Sequence, residues 1–222
     1  MKIREEFSIH ETLDNLLNVK IKSRNQIIGI LLQTLLDIQI YNNDSPKLGK
    51  FEIYQNKKLS RINYISKNRI FSIHLPFTIK KEDFTFKIFD NNIDIIIDYQ
   101  ILKVLQKFHQ KHWFNDRNYV GDFYDKLDEF DEIIKDEEIQ VGSVVEKIYY
   151  LILKLNNYEV GYIRFDYDPS GENGEIHPLY HFDVNCVENA TFKIGLNGKW
   201  DSYDMFDLFD STTKCYFINK EL

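Results

Sequence analysis

Alanine is nearly missing from this chain: Ala190 stands alone among 222 residues. A sequence so poor in the best helix former disfavours an all-helical bundle. Cysteine is scarce as well. Cys186 and Cys215 are the only two, and neither belongs to a Cys-x-x-Cys pair. That excludes a disulfide framework for a chain this size and predicts free thiols in a reducing cytoplasm. Four prolines and nine glycines exclude a collagenous chain. Long hydrophobic runs are absent too. The most apolar stretch, 27–40, is only 14 residues long and contains Gln33, Thr34 and Asp37. It is too short and too polar to cross a bilayer, so it reads as a buried helix, and no membrane partner is expected. Glu5, Glu6, His10, Glu11 and Asp14 interrupt the N-terminus where a secretory signal would be apolar. No P-loop, Gly-x-Gly-x-x-Gly or Gly-x-Ser-x-Gly motif is present, and no cofactor is expected.

What is abundant is equally telling. There are 29 Ile, 17 Phe and 14 Tyr, so the core must be built from large β-branched and aromatic side chains. Such a composition, rich in Asn and Lys as well, suggests an AT-rich bacterial genome. The length fits one α+β domain over 1–222, with two lobes at 1–115 and 116–222. Net charge is −7 but unevenly spread. Residues 1–115 hold 18 basic and 12 acidic groups, 116–138 hold 3 and 10, and 139–222 hold 7 and 13. The first part is therefore the cationic one. Its surplus gathers at Lys57, Lys58, Arg61, Lys67 and Arg69, interleaved with Phe51, Tyr54 and Tyr64. That mixture suits contact with phosphates and stacking on the bases of RNA or DNA, although a basic solvated sheet face carries the same pattern.

Periodicity predicts helices over 11–18, 25–40 and 99–114, an acidic amphipathic helix within 116–138 opened by Gly121 and Asp122, and a last helix over 202–209 capped by Ser202. Strands are expected at 51–55, 61–66, 70–75, 84–89, 93–98, 158–167, 179–187 and 190–196. The stretch 144–155 fits either a strand or a helix. A hinge is expected within 115–121.

The segment 161–185, GYIRFDYDPSGENGEIHPLYHFDVN, carries the chemistry. Strand alternation puts Arg164, Asp166 and Asp168 on one face, and His181, Asp183 and Asn185 on one face of the next strand. The loop between them allows antiparallel pairing, which would merge the two sets and leave His177 at the rim. Three chemistries fit. His177 and His181 could exchange protons on a phosphodiester while Arg164 steadies the phosphate and Asp166 or Asp183 orients a ring, which is metal-independent RNA cleavage. The two histidines with an aspartate could instead hold Zn or Mn. On one straight strand, however, residues four apart lie roughly 13 Å from each other, so no metal is expected. Thirdly, Arg164 could pair with Asp166 and Asp183 on a wet sheet face with no chemistry at all.

The order Arg164-Phe-Asp166-Tyr-Asp168, then His177-Pro-Leu-Tyr-His181-Phe-Asp183-Val-Asn185, a β stretch and an aromatic helix around Met205 to Phe209, resembles the bacterial family catalogued as domain of unknown function 2290. Where that pattern leads one to expect an Arg-Ile-Pro-like segment, this chain has Lys193-Ile194-Gly195. The layout is also similar to the small TumE-type toxins, which are thought to act on RNA. The first likeness implies a bacterial, often mobile-element setting rich in toxins and phage-defence proteins. The expectation is thus a cytoplasmic protein acting on or binding nucleic acid. The alternative is a non-catalytic antitoxin or accessory subunit that binds a protein encoded by a neighbouring gene.

Overall fold

The computed structural model describes residues 3–40, 48–83, 85–114, 123–137, 139, 142–186 and 189–217. In chain order these form β1 (Ile3–Ser8), α1 (Glu11–Leu17), α2 (Arg24–Gln39), β2 (Lys50–Gln55), β3 (Ser60–Ile65), β4 (Arg69–His74), β5 (Thr78–Glu82) and β6 (Thr85–Asp90). Then come β7 (Ile95–Ile96), α3 (Tyr99–Gln110), α4 (Phe123–Asp136), α5 (Ser143–Asn156), β8 (Ile163–Tyr167), β9 (Tyr180–Val184), β10 (Phe192–Gly195) and α6 (Ser202–Phe209). This is the expected α+β class. The chain divides into two compact units that do not follow the expected split at residue 115. One comprises Met1–Ser8, Gly49–Leu75 and Gly161–Leu222; the other comprises Ile9–Leu48 and Pro76–Val160.

The first unit is a seven-stranded sheet in the order β1-β2-β3-β4-β8-β9-β10, antiparallel throughout. Alternation gives each strand two faces. On one, Ile70, Ile163, Phe165 and Phe182 bury against Met205 of α6, while Tyr54 and Leu59 meet Phe206. Helix α6 is started by Asp201 rather than the expected Ser202. The Asp201 carboxylate accepts from the backbone N–H groups of Tyr203 and Asp204, and Asp204 answers in a capping box. Ser202 instead turns its hydroxyl to Glu52, at 3.3 Å.

The second unit is mostly helical, with a three-stranded sheet β5-β6-β7. Ser23 and Gln26 form a capping box at the start of α2, whose almost wholly buried surface makes it the central helix. The ambiguous stretch 144–155 is the helix α5: Ile148, Leu151, Ile152 and Leu155 recur at helical, not strand, spacing and are the buried positions. Strands β1 and β5 were not foreseen. Helix α3 stops at Gln110, so His112 lies beyond it, exposed and with φ of +62°. The hinge and the Gly121 and Asp122 start signals lie outside the described residues.

Gly29 of α2 lets α3 approach closely, because a Cβ there would stand 2.8 Å from Cε1 of His109. Burial pushes the His109 pKa below its ordinary 6.5, outweighing the Asn25 carbonyl, which accepts from Nε2 at 2.9 Å and acts to raise it, while nearby His112 lowers it further. The folded chain therefore binds fewer protons at His109 than the unfolded chain does. Stability contributed by this residue is full above pH 6.5 and falls as pH drops from there towards the depressed value. Urea midpoints measured between pH 8 and 5.5 should decline more steeply for the wild type than for His109→Gln. Parallel curves would exclude the effect.

Candidate functional site

On the face of the first unit opposite α6, the register sets Arg164 across from Asp183 and Asp166 across from His181. The same rows bring Arg69 of β4 beside Asp166 and Lys193 of β10 beside Asp183. The convergence expected from the sequence is thus realised, and it extends by one strand on each side.

Arg164 is the hub. Its Nε donates to Asp166 at 2.8 Å and its Nη2 at 2.6 Å, and Nη2 also bonds Asp183. The Arg69 Nε donates to Asp166 Oδ1 at 3.1 Å. Burial alone would lower the Arg164 pKa, but Tyr162, Asp166 and Asp183 outweigh it and hold the guanidinium above its ordinary value. With only 16% of its side chain exposed, Arg164 is a positioning group more than a free phosphate ligand.

His181 is fully buried. Its Nδ1 lies 2.8 Å from the Pro178 carbonyl, which can only accept, so Nδ1 carries the hydrogen. Nε2 then takes a hydrogen bond from the Lys193 ammonium at 2.9 Å, and the same ammonium donates to Asp183 Oδ1 at 2.6 Å. Both ring nitrogens are engaged. His177 is different: it sits on the loop before β9, with its side chain 28% exposed. Its Nε2 is shielded, has no hydrogen-bond partner among the described residues, and lies 3.5 Å from Asp168 Oδ2. The two imidazoles meet edge to face with centroids 4.7 Å apart. The separation of roughly 13 Å expected on one straight strand does not apply, because His177 precedes β9 and the chain bends at Leu179.

The Ser170 hydroxyl and the Gly171 N–H, both 2.9 Å from Asp168 Oδ1, hold the Asp168 carboxyl below the usual carboxylate range. Gly171 fits closely here: a Cβ would come within 2.5 Å of Asp168 Oδ2 and 3.0 Å of His177 Cε1, so any side chain would push the Asp168 carboxylate from its place beside His177.

The basic cluster does not stay together. Lys57 and Lys58 are exposed in the β2–β3 turn, and Lys67 is exposed in the β3–β4 turn. Consecutive hairpin turns fall at opposite ends of β3, roughly 20 Å apart. Arg61 is buried: Nε donates to Ser72 Oγ at 2.8 Å, Nη2 reaches the Gly161 carbonyl, and the guanidinium lies 3.6 Å over the Phe209 ring. Phe51, Tyr54 and Tyr64 are buried and present no stacking surface. Of the five cations, Arg69 alone joins the site, with 47% of its side chain exposed.

The sequence reading gave no role to Lys193 or Gly171, and considered Asp168 as a member of the polar face and one possible carboxylate of a metal set, not as the neighbour of His177. Pairing a third strand onto β9 by the same alternation would have found Lys193 opposite Asp183. Cys186 is buried and Cys215 exposed, and neither is in a disulfide. No helix among the described residues is long and apolar enough to cross a membrane. Compared with protein-family models, curated proteins and solved structures, the chain matched none.

Proposed function

We propose that this chain acts on or binds nucleic acid within a bacterial toxin or phage-defence system, and that its chemistry is metal-independent cleavage of RNA. The observation that carries the reading is the His177 imidazole, partly exposed and held beside Asp168, at the rim of a sheet face bearing Arg69, Arg164 and Lys193. A carboxylate beside an imidazole orients the ring, and an imidazole so held can take and return a proton in a single reaction. His177 takes the proton of a ribose 2′-hydroxyl as that oxygen bonds to phosphorus. The bond from phosphorus to the 5′-oxygen breaks, and the same proton returns to that leaving oxygen. Arg69 and Lys193, the more exposed cations, receive the phosphate charge. His181 and Arg164 hold the base of the site in register.

Labelled RNA should be cleaved in the presence of EDTA, and His177→Ala should slow cleavage by about 10²- to 10⁴-fold. Cleavage unchanged by His177→Ala, or no cleavage of RNA at all, would overturn the catalytic reading. A second reading has its own observation. In the other unit, α5 exposes Val144, Tyr149, Tyr150 and Leu153, a surface suited to an antitoxin or accessory subunit that binds a protein from a neighbouring gene. It predicts a stable complex with that product and no turnover.

A further inference from the structure

We propose that Asp166, His181 and Asp183 form a divalent-cation site whose resident cation is the ammonium of Lys193, so that Zn²⁺ or Mn²⁺ enters by displacing that side chain. This goes beyond the cleavage reading, which rests on His177; the two share Lys193 and His181, but metal affinity is read without RNA, so either can fail alone.

The three buried residues each offer one ligand atom, and all three atoms lie within 4.8 Å of one another. His181 Nε2 is 3.7 Å from Asp166 Oδ2 and 3.9 Å from Asp183 Oδ1. Bonds of about 2.1 Å to a tetrahedral ion would set such atoms about 3.4 Å apart, so a contraction of a few tenths of an ångström brings both pairs that involve His181 to that spacing. The ring is already aimed. Its Nδ1–H is anchored on the Pro178 carbonyl, the outer-shell bond that fixes the tautomer and direction of metal-binding histidines.

The independent observation is where Lys193 puts its charge. Nζ bonds His181 Nε2 and Asp183 Oδ1 together, so an imidazole lone pair and a carboxylate oxygen already converge on one positive atom. Lys193 is also the cation free to leave. It stands on β10, the last strand of the sheet order, with 37% of its side chain exposed, and its flexible stem carries a point charge that water can solvate. Arg164 keeps its bond to Asp183 Oδ2 while Oδ1 becomes available, and at Asp166 Oδ2, to which its Nε and Nη2 both donate, it yields one of the two bonds to the ion. One nitrogen and two carboxylate donors suit Zn²⁺ or Mn²⁺ better than the oxygen-preferring Ca²⁺ or Mg²⁺. Exchanging a single charge for a double one beside Arg164 and Arg69 works against the ion, so the wild type binds weakly and the competing ammonium sets the affinity.

Titration calorimetry of the full chain with Zn²⁺ alone and Mn²⁺ alone tests this on three proteins. Lys193→Ala, which removes a like charge from the site, should bind one ion about ten- to a hundredfold more tightly than wild type, whereas Lys193→Arg, which keeps a cation in place, should not. Electron paramagnetic resonance of Mn²⁺ in Lys193→Ala should show one nitrogen ligand. Equal affinity of wild type and Lys193→Ala, equal tightening by Lys193→Arg, or a manganese signal without nitrogen would each overturn the proposal. Because Lys193 is an edge side chain, circular dichroism of both variants should match the wild type.

Discussion

Replacing Arg164 by Leu should lower the free energy of unfolding by about 3 kcal/mol, read as a drop in the urea midpoint at unchanged slope. The reason is the company that guanidinium keeps. It is mostly buried and satisfies Asp166 through two nitrogens and Asp183 through one, both carboxylates being themselves buried. Breaking a buried pair from one side strands charge in a poorly solvated place, at about 3–5 kcal/mol. The lower end applies because Arg69 still donates to Asp166 and Lys193 to Asp183. The same argument predicts a rescue. In Arg164→Leu/Asp166→Asn/Asp183→Asn no charge is left stranded at the hub, and most of the loss should return. A single variant losing less than about 1 kcal/mol, or a triple variant no better than the single, would mean that the network is an exposed set of weak pairs.

The assembly of this hub was legible because it depends only on period-two alternation along two neighbouring strands. Arg164 and Asp166 share a face with His181 and Asp183 whatever the rest of the fold does, and the register bears this out. Burial was not legible. The sequence reading allowed His181 a wet face and a proton-exchange role, but the Pro178 carbonyl and Lys193 use both its nitrogens. The strand expected over 190–196 was legible, but nothing local announces that its lysine reaches across to His181. Strand β1 went unseen for a related reason. IREEFS carries two glutamates, which strands disfavour, and its order comes from pairing with β2 more than forty residues later. In α5, by contrast, the information was present and ambiguous: a run of apolar residues hides its period until burial picks out Ile148, Leu151, Ile152 and Leu155.

Arg61 is the sharpest case of a side chain whose role depends on something distant, and Arg61→Leu should cost about 3 kcal/mol of stability. By composition it belongs to a basic run that contacts phosphate. By register it stands on the α6 side of β3, opposite His74, where the chain brings Phe209 against it from far along the sequence. Its guanidinium stacks 3.6 Å over that ring, donates to Ser72 Oγ at 2.8 Å and reaches the carbonyl of Gly161. Gly161, with φ of +51°, leaves room for it: a Cβ there would stand 3.2 Å from Nη1. A hydrogen bond to a charged group contributes about 1.5–3 kcal/mol and a partly desolvated cation–π contact about 1–2 kcal/mol, not fully additively. Leucine removes both and leaves Ser72 without that donor. Lys57→Ala and Lys58→Ala, on the exposed turn at the start of the same strand, should stay within about 0.5 kcal/mol of wild type. The two roles separate cleanly in one experiment, in which chemical denaturation and RNA binding are measured on the same variants. If Arg61→Leu left stability intact and weakened binding, Arg61 would be a phosphate contact after all; a stability loss with binding unchanged in the folded fraction makes it a strut of the sheet, and leaves Arg69 as the one cation of the run placed to meet a polyanion at the His177 rim.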